Sequence, residues 1–176
     1  MRGLLVVCSC LCAAHSLAAQ PSRVRVGIIG HLGAVAIDSL ATTVSIDAPS
    51  GVTFHAVAQV LTELKVPIDT RDSTRGIVGV MSVPRMRTFG VGRISRYLSC
   101  GSGLTGLHAD DWRVYVTALV FVDAAGAGST TLRLAMVGGA QAVEGSSTDP
   151  VACASTGSFE TLVVERLKAR LAEPRP

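Results

Sequence analysis

The 176-residue chain contains no asparagine and only two lysines, Lys65 and Lys168, so almost all of its basic residues are arginine. Aromatic residues are scarce, at 4% of the chain. This bias is typical of a GC-rich bacterial genome, and the arginine content by itself therefore does not indicate phosphate binding. The formal net charge of +3 is too small to predict a nucleic-acid partner.

Long apolar runs are missing after the first twenty residues, and the run at the start has the three parts of a secretory signal. Arg2 precedes an uncharged apolar stretch at 4–14, which small residues ending at Ala19 follow. This stretch is shorter than the ~20 residues of a membrane-spanning helix. We predict a signal peptide at 1–19 and an exported mature chain, periplasmic or extracellular, without a transmembrane span. Lipid anchoring through Cys10 is the alternative.

Only two of the five cysteines, Cys100 and Cys153, remain after the predicted cleavage. In an oxidising compartment such a pair predicts a disulfide. The alternative is a Cys100 nucleophile, which needs a base or a positive charge to lower its pKa, and His55, His108 or Arg96 would have to supply it. No cysteine-hydrolase signature surrounds Cys100, and we therefore favour the disulfide.

The stretch SCGSGLTGLH has glycines at 101, 103 and 106, spaced as in the G-x-G-x-x-G dinucleotide-binding fingerprint. That fingerprint works only where a strand leads into the glycines and a helix follows them. The sequence predicts neither element here, because LHADDW and then a strand follow Gly106. We expect no nucleotide and no other cofactor.

Other candidates for chemistry are equally incomplete. Ser102 and Ser155 lie in C-G-S-G-L and C-A-S-T-G, where a cysteine stands in place of the first glycine of a nucleophile elbow. His108, Asp110 and Asp111 form the best candidate metal group, but their spacing is not that of a metal site. We predict that the protein is not an enzyme and holds no metal.

Hydrophobic periodicity predicts two long helices and several strands. Apolar residues recur at helical spacing over about 50–65 and 158–171. Alternating or β-branched runs predict strands at 41–47, 68–71, 76–83, 113–123 and 129–137. Strands in succession favour an α+β fold with two layers, an antiparallel sheet with both helices packed on one face. We predict a single domain over 41–172, and a lead-in segment or edge strand over 20–40.

Residues 85–112 have no clear periodicity, and a segment of this kind is usually functional or partly disordered. Its first part carries four arginines interleaved with two aromatic residues and no acid. These residues are Arg85, Arg87, Arg93, Arg96, Phe89 and Tyr97. Guanidinium groups bind phosphates and carboxylates through charge-assisted hydrogen bonds. We predict an interaction surface here, for another envelope protein or an anionic envelope surface.

The runs VSIDAPSGVTFHAVAQVLTELKVPIDTRD and GIVGVMSV, followed by a strand pair and a helix, resemble small bacterial envelope domains related to a lipoprotein component of the outer-membrane β-barrel assembly machine. The resemblance implies a helix-grip-like α+β arrangement and carries over no functional residue. We predict an exported, non-enzymatic envelope domain with a binding or structural accessory role. The alternative is a carrier that holds an apolar ligand between helix and sheet, beside small residues such as Gly79, Ala118 and Ala135.

Overall fold

The computed structural model of the protein describes residues 24–104, 106–143 and 149–173. The predicted signal peptide at 1–19 and the candidate lipidation site Cys10 lie outside these residues. The strands are β1 (Arg25–Gly27), β2 (Ala34–Ala36), β3 (Thr42–Ile46), β4 (Thr70–Asp72), β5 (Ile77–Arg85), β6 (Thr88–Phe89), β7 (Gly92–Arg93), β8 (Leu98–Ser99), β9 (Ser102–Gly103), β10 (Gly106–Leu107), β11 (Arg113–Ala124), β12 (Thr130–Gln141) and β13 (Val151–Ser155). The helices are α1 (Ser50–Glu63), α2 (Ile94–Tyr97), α3 (His108–Asp111) and α4 (Ser158–Ala172).

The predicted α+β fold is confirmed: seven strands form an antiparallel sheet, and two of the helices are long. The strand order is β4–β5–β11–β12, with the 12-residue strands β11 and β12 at the centre. The outer side of β12 is shared, because residues 130–134 pair with β3 and residues 137–140 pair with β13. Strand β8 then pairs with β13. The sequence does not predict β13, which directly follows the polar stretch 141–150.

One face of the sheet packs against α1 and α4, as predicted. Alternate residues of β11 and β12 point to this side, together with the apolar stripes of the two helices. The buried strand residues are Val114, Val116, Ala118, Val120, Val122, Leu132, Leu134 and Met136. These positions are the ones that the alternating pattern assigns to a single face. The cluster of buried residues on this face is larger than the cluster on the opposite face of the sheet.

The opposite face of the sheet is covered by the start of the described chain. Strands β1 and β2 form a hairpin of their own, and a 3-10 turn at Ile37–Leu40 follows it. The segment predicted as a lead-in or an edge strand therefore pairs with no strand of the main sheet among the described residues. Its apolar side chains pack on the intervening positions of β5, β11 and β12. This second cluster contains Val26, Ile37, Ile77, Leu119, Phe121, Ala135 and Val137.

A charged side chain fastens this hairpin to the sheet. The guanidinium of Arg133 on β12 donates to Asp123 over 2.9 Å and lies 3.9 Å from the carboxylate of Asp38 in the 3-10 turn. It also lies 5.0 Å from the centre of the Phe121 ring, within the range of cation–π attraction. The ion pair therefore links the hairpin covering to the strand beneath it.

A buried carboxylate fills the gap between β3 and β13. Glu160, in the first turn of α4, is only 4% exposed. It accepts the backbone N–H of Met136 over 3.2 Å, at the point on β12 where neither neighbouring strand pairs. It also accepts the hydroxyl of Ser155 over 2.7 Å. An unpaired buried N–H is costly, so Glu160 both completes the sheet and fixes the start of α4.

Candidate interaction site: the arginine lobe

The described part of residues 86–112, which we call the arginine lobe, forms elements too short to leave a periodic pattern. The hairpin β6–β7 leads into the single turn α2 and the short strand β8. A second hairpin, β9–β10, then leads into the single turn α3. Each element has two to four residues, so that the longest spans only about one helical turn and repeats no side-chain position. This brevity explains why the sequence predicts irregular structure here.

The two aromatic residues assigned to the interaction surface are in fact core residues. Phe89 and Tyr97 are each 1% exposed. Both rings pack edge-on against Phe159 of α4, with centroid separations of 5.8 and 5.7 Å. The prediction that they belong to an exposed surface is therefore wrong, because burying two large rings stabilises the attachment of so short a segment. They anchor the lobe to α4.

Backbone contacts reinforce this anchor. Thr156, just before α4, donates its N–H to the carbonyl of Tyr97 over 2.9 Å and its hydroxyl to the carbonyl of Arg96 over 2.7 Å. The turn of the first hairpin lies against the end of α1, where a Cβ on Gly90 would meet the carbonyl oxygen of Leu64 at 2.6 Å. The lobe is thereby held between the ends of the two long helices.

The predicted disulfide between Cys100 and Cys153 is present, with Cα atoms 4.2 Å apart. Cys153 lies within β13, not in a loop, and Cys100 directly follows β8, the strand that pairs with it. The bond therefore extends a ladder of paired strands. Both residues are 4% exposed and belong to the helix-side core. A bonded Cys100 has no thiolate with which to act as a nucleophile.

The three glycines of SCGSGLTGLH serve the second hairpin. Gly101 has a φ of +76°, a conformation that favours glycine. A Cβ on Gly103 would lie 2.9 Å from the imidazole of His108, whose ring stacks on Trp112 at 3.8 Å. The helix that follows has only four residues. The strand–turn–helix context of a dinucleotide site is therefore not found at these glycines.

The remaining candidates for chemistry do not converge on a common site among the described residues. Ser102 is exposed, and the hydroxyl of Ser155 donates to Glu160. His108 contacts the carbonyl of Cys100, whereas Asp110 accepts from Ser95 over 2.9 Å. No group of three or more His, Cys, Asp or Glu side chains lies close enough to hold a metal ion within the described ranges.

The four arginines differ in their surroundings. Arg93 pairs with Asp110 at 3.3 Å, although its side chain is 75% exposed. Arg85 is the last residue of β5, is half-buried and donates to the carbonyl of Pro84. Arg87 and Arg96 are exposed, and within the part of the chain that the structure describes no carboxylate lies within 4 Å of either. These two guanidiniums are the ones most available to a partner.

Exposed apolar side chains are the part of this surface that sequence reasoning missed. Val91, in the turn between β6 and β7, is 54% exposed, and Leu104, in the turn between β9 and β10, is fully exposed. Met86 and Leu107 are also exposed. The exposure of Leu104 could have been expected from the sequence, because glycines stand near it on both sides and have no side chains to bury it.

The small residues proposed to line a ligand cavity do not face a common space. Ala118 belongs to the helix-side core, whereas Ala135 belongs to the cluster under the N-terminal hairpin. At Gly79 an added Cβ would collide with the carbonyl of Ala118, so this glycine permits close packing of β5 on β11. These contacts give no support to a carrier of apolar ligands.

Comparison of the chain with protein-family models, with curated protein sequences and with solved structures found no match. No helix in the described ranges is long and apolar enough to cross a membrane.

Proposed function

We propose that the protein is an exported, non-enzymatic accessory module of a bacterial envelope that attaches to an anionic lipid surface through the arginine lobe. One observation carries the proposal: two hairpin turns expose Val91 and Leu104 on the same lobe as the exposed Arg87 and Arg96. Apolar tips enter the boundary between headgroups and acyl chains, and guanidiniums bind the phosphates above it.

The contacts that anchor the lobe support this role. Its buried rings and the Cys100–Cys153 disulfide hold the two hairpins before any partner is bound. A preordered surface loses less conformational entropy on binding than a mobile loop does. The same disulfide is compatible with an oxidising compartment, and therefore with export.

A binding role also agrees with the state of the reactive side chains. Cys100 is bonded, Ser155 is hydrogen-bonded to Glu160, and His108 stacks on Trp112. The resemblance to the assembly-machine lipoprotein, which rests on the order of elements, would likewise give the module an accessory role at a membrane.

Co-sedimentation of the mature chain with vesicles tests the charge part of the proposal. We expect binding to vesicles containing phosphatidylglycerol, and little binding to phosphatidylcholine alone. Arg87→Glu/Arg96→Glu weakens that binding by more than about tenfold, since each basic residue near such a surface contributes about 1 kcal/mol. The matched control is Arg75→Glu/Arg166→Glu, which makes the same change of charge in the β4–β5 turn and on α4. Equal losses in both variants would show general electrostatics and not a lobe surface.

A second pair of variants tests the apolar part. Leu104→Ser weakens vesicle binding by about tenfold, whereas Leu32→Ser, at the equally exposed tip of the β1–β2 hairpin, leaves it unchanged. A mature chain that binds no anionic vesicle overturns the proposal. In that case a partner protein with an acidic face becomes the better candidate.

A further inference from the structure

The outer strands of the sheet, β4, β3 and β8, differ in how well their open sides are protected, and the difference points to an interaction that is separate from the arginine lobe. Every outer strand presents backbone N–H and C=O groups to its open side, where another strand can pair. Natural proteins usually block such an edge with a bulge, a proline, a charge or a very short strand. The β4–β5 edge is blocked in these ways and β8 has only two residues, whereas β3 is not blocked.

The β4–β5 edge is blocked along its length. Strand β4 has only three residues, and beyond it β5 contains a bulge opposite Thr117, where Ser82 has a φ of 51°. The N–H of Met81 is accepted by the carboxylate of Asp69 over 3.1 Å. Pro84 has no N–H to offer. An incoming strand would find no regular ladder here.

The β3 edge has none of these protections. Its five residues, TTVSI, include no charge, no proline and no glycine. All five pair with β12 without a register shift, and the described residues place no hydrogen bond on its other side. Thr42, Thr43 and Ser45 are exposed, although α4 packs over the strand. β-Branched residues favour the extended conformation that a further pairing requires.

We propose that β3 pairs with β3 of a second copy of this chain, antiparallel and centred on Val44. The sequence is complementary to itself in this register. Val44 faces Val44 of the second copy, Thr43 faces Ser45, and Thr42 faces Ile46. Hydroxyl thus meets hydroxyl on one face and β-branched side chains meet on the other, and such pairs stabilise a sheet. No like charges face each other within the strand.

The symmetry of this pairing also fits the fold. A twofold axis perpendicular to the sheet gives an isologous contact, in which both copies use the same surface. The helix-covered faces of both copies then lie on the same side of one continuous sheet. A five-residue edge is small beside the ~1,000 Å² of a stable interface, and we therefore expect a weak dimer whose fraction rises with concentration.

Sedimentation equilibrium of the oxidised mature chain, over a series of protein concentrations, measures the dissociation constant. Thr43→Lys/Ser45→Lys places like charges opposite each other at two positions and raises this constant by about tenfold or more. Thr43→Lys/Ser45→Glu places opposite charges there and restores it to within about threefold of the wild-type value. Both variants change only exposed side chains, and unchanged melting temperatures verify that both fold.

Hydrogen exchange gives a second measurement on the same samples. Backbone amides of Thr42–Ile46 become protected as the wild-type concentration rises, and those of β4 do not. A wild-type chain that stays monomeric at every concentration overturns the proposal. Equal association of the wild type and both variants also overturns it, because the contact would then lie elsewhere. Neither result bears on lipid binding by the arginine lobe, whose residues are unchanged.

Discussion

The two faces of the central sheet are closed by different means. Two long helices cover one face, whereas the other is covered by a hairpin of three-residue strands and one 3-10 turn. Neighbouring residues of the same strand supply both cores: Val120 of β11 points to the helices and Leu119 to the hairpin. A strand that is apolar on both sides needs two covers, and the second need not be a helix.

Removing the disulfide is the largest expected disturbance, and it acts on the helix side. Cys100→Ala/Cys153→Ala opens a crosslink that spans 53 residues, which the chain-entropy model values at about 4 kcal/mol. We expect the free energy of unfolding in urea to fall by roughly that amount. Hydrogen exchange should quicken in the arginine lobe, while residues 24–40 keep their protection, since the hairpin packs on the opposite face.

Reduced wild-type protein is the control for this variant, because it loses the crosslink and keeps both side chains. It should match the double variant to within about 1 kcal/mol. Unchanged stability on reduction would show that the disulfide does not contribute to holding the lobe.

Two adjacent truncations on β11 compare the faces directly. Leu119→Ala should lower the free energy of unfolding by about 3 kcal/mol and Val120→Ala by about 2 kcal/mol, since each leaves a cavity in a packed cluster. Both residues are 1% exposed, so differences in burial do not confound the comparison. A loss below about 1 kcal/mol for Leu119→Ala would mean that the hairpin is a loose cover and not part of a core.

The helix side could be predicted from the sequence, whereas its counterpart could not. The stripes of α1 and α4 and the valines of β11 repeat at the periods that define a helix and a strand. The hairpin at 24–40 has strands too short for either period. The run from Ala118 to Val122 of β11 is apolar on both faces, a pattern typical of strands buried on both sides, so the sequence indicates that a second cover exists but not that it is this hairpin.

Only part of the candidate site could be predicted, again because its elements are too short to show a period. Sequence locates Arg87 and Arg96 and pairs the two cysteines, because charge and cysteine count do not depend on periodicity. It cannot tell that Phe89 and Tyr97 point inward, since the elements that carry them turn within four residues. Only their contact with Phe159, distant in sequence, decides it.

The ion pair beneath the hairpin allows a smaller and more local test. Asp38→Ala removes a carboxylate whose side chain is 9% exposed and leaves Arg133 with Asp123 alone. We expect a loss of about 1–2 kcal/mol and faster hydrogen exchange over residues 24–40. The control, Asp123→Ala, changes the other partner of Arg133 but leaves Asp38 in place. Equal exchange in the hairpin of both variants would show that the pair does not fasten it.

The smallest expected effects concern how the backbone turns on each side. The hairpin uses Gly33 at a φ of 82°, whereas α1 is followed by Lys65 at 57°. The N–H of Val66 bonds to the carbonyl of Leu61, in the geometry that usually has glycine at the position of Lys65.

Lys65→Gly should therefore raise the free energy of unfolding by about 0.5 kcal/mol, because relief of the left-handed strain slightly exceeds the added freedom of the unfolded chain. Gly33→Ala should lower it by about 1 kcal/mol, and here only the backbone is tested, since an added Cβ has nothing within 4 Å. Thermal melts of the two variants measure both changes. A stabilising Gly33→Ala would mean that the turn can relax, and the hairpin would then be a more adaptable cover than the helices opposite it.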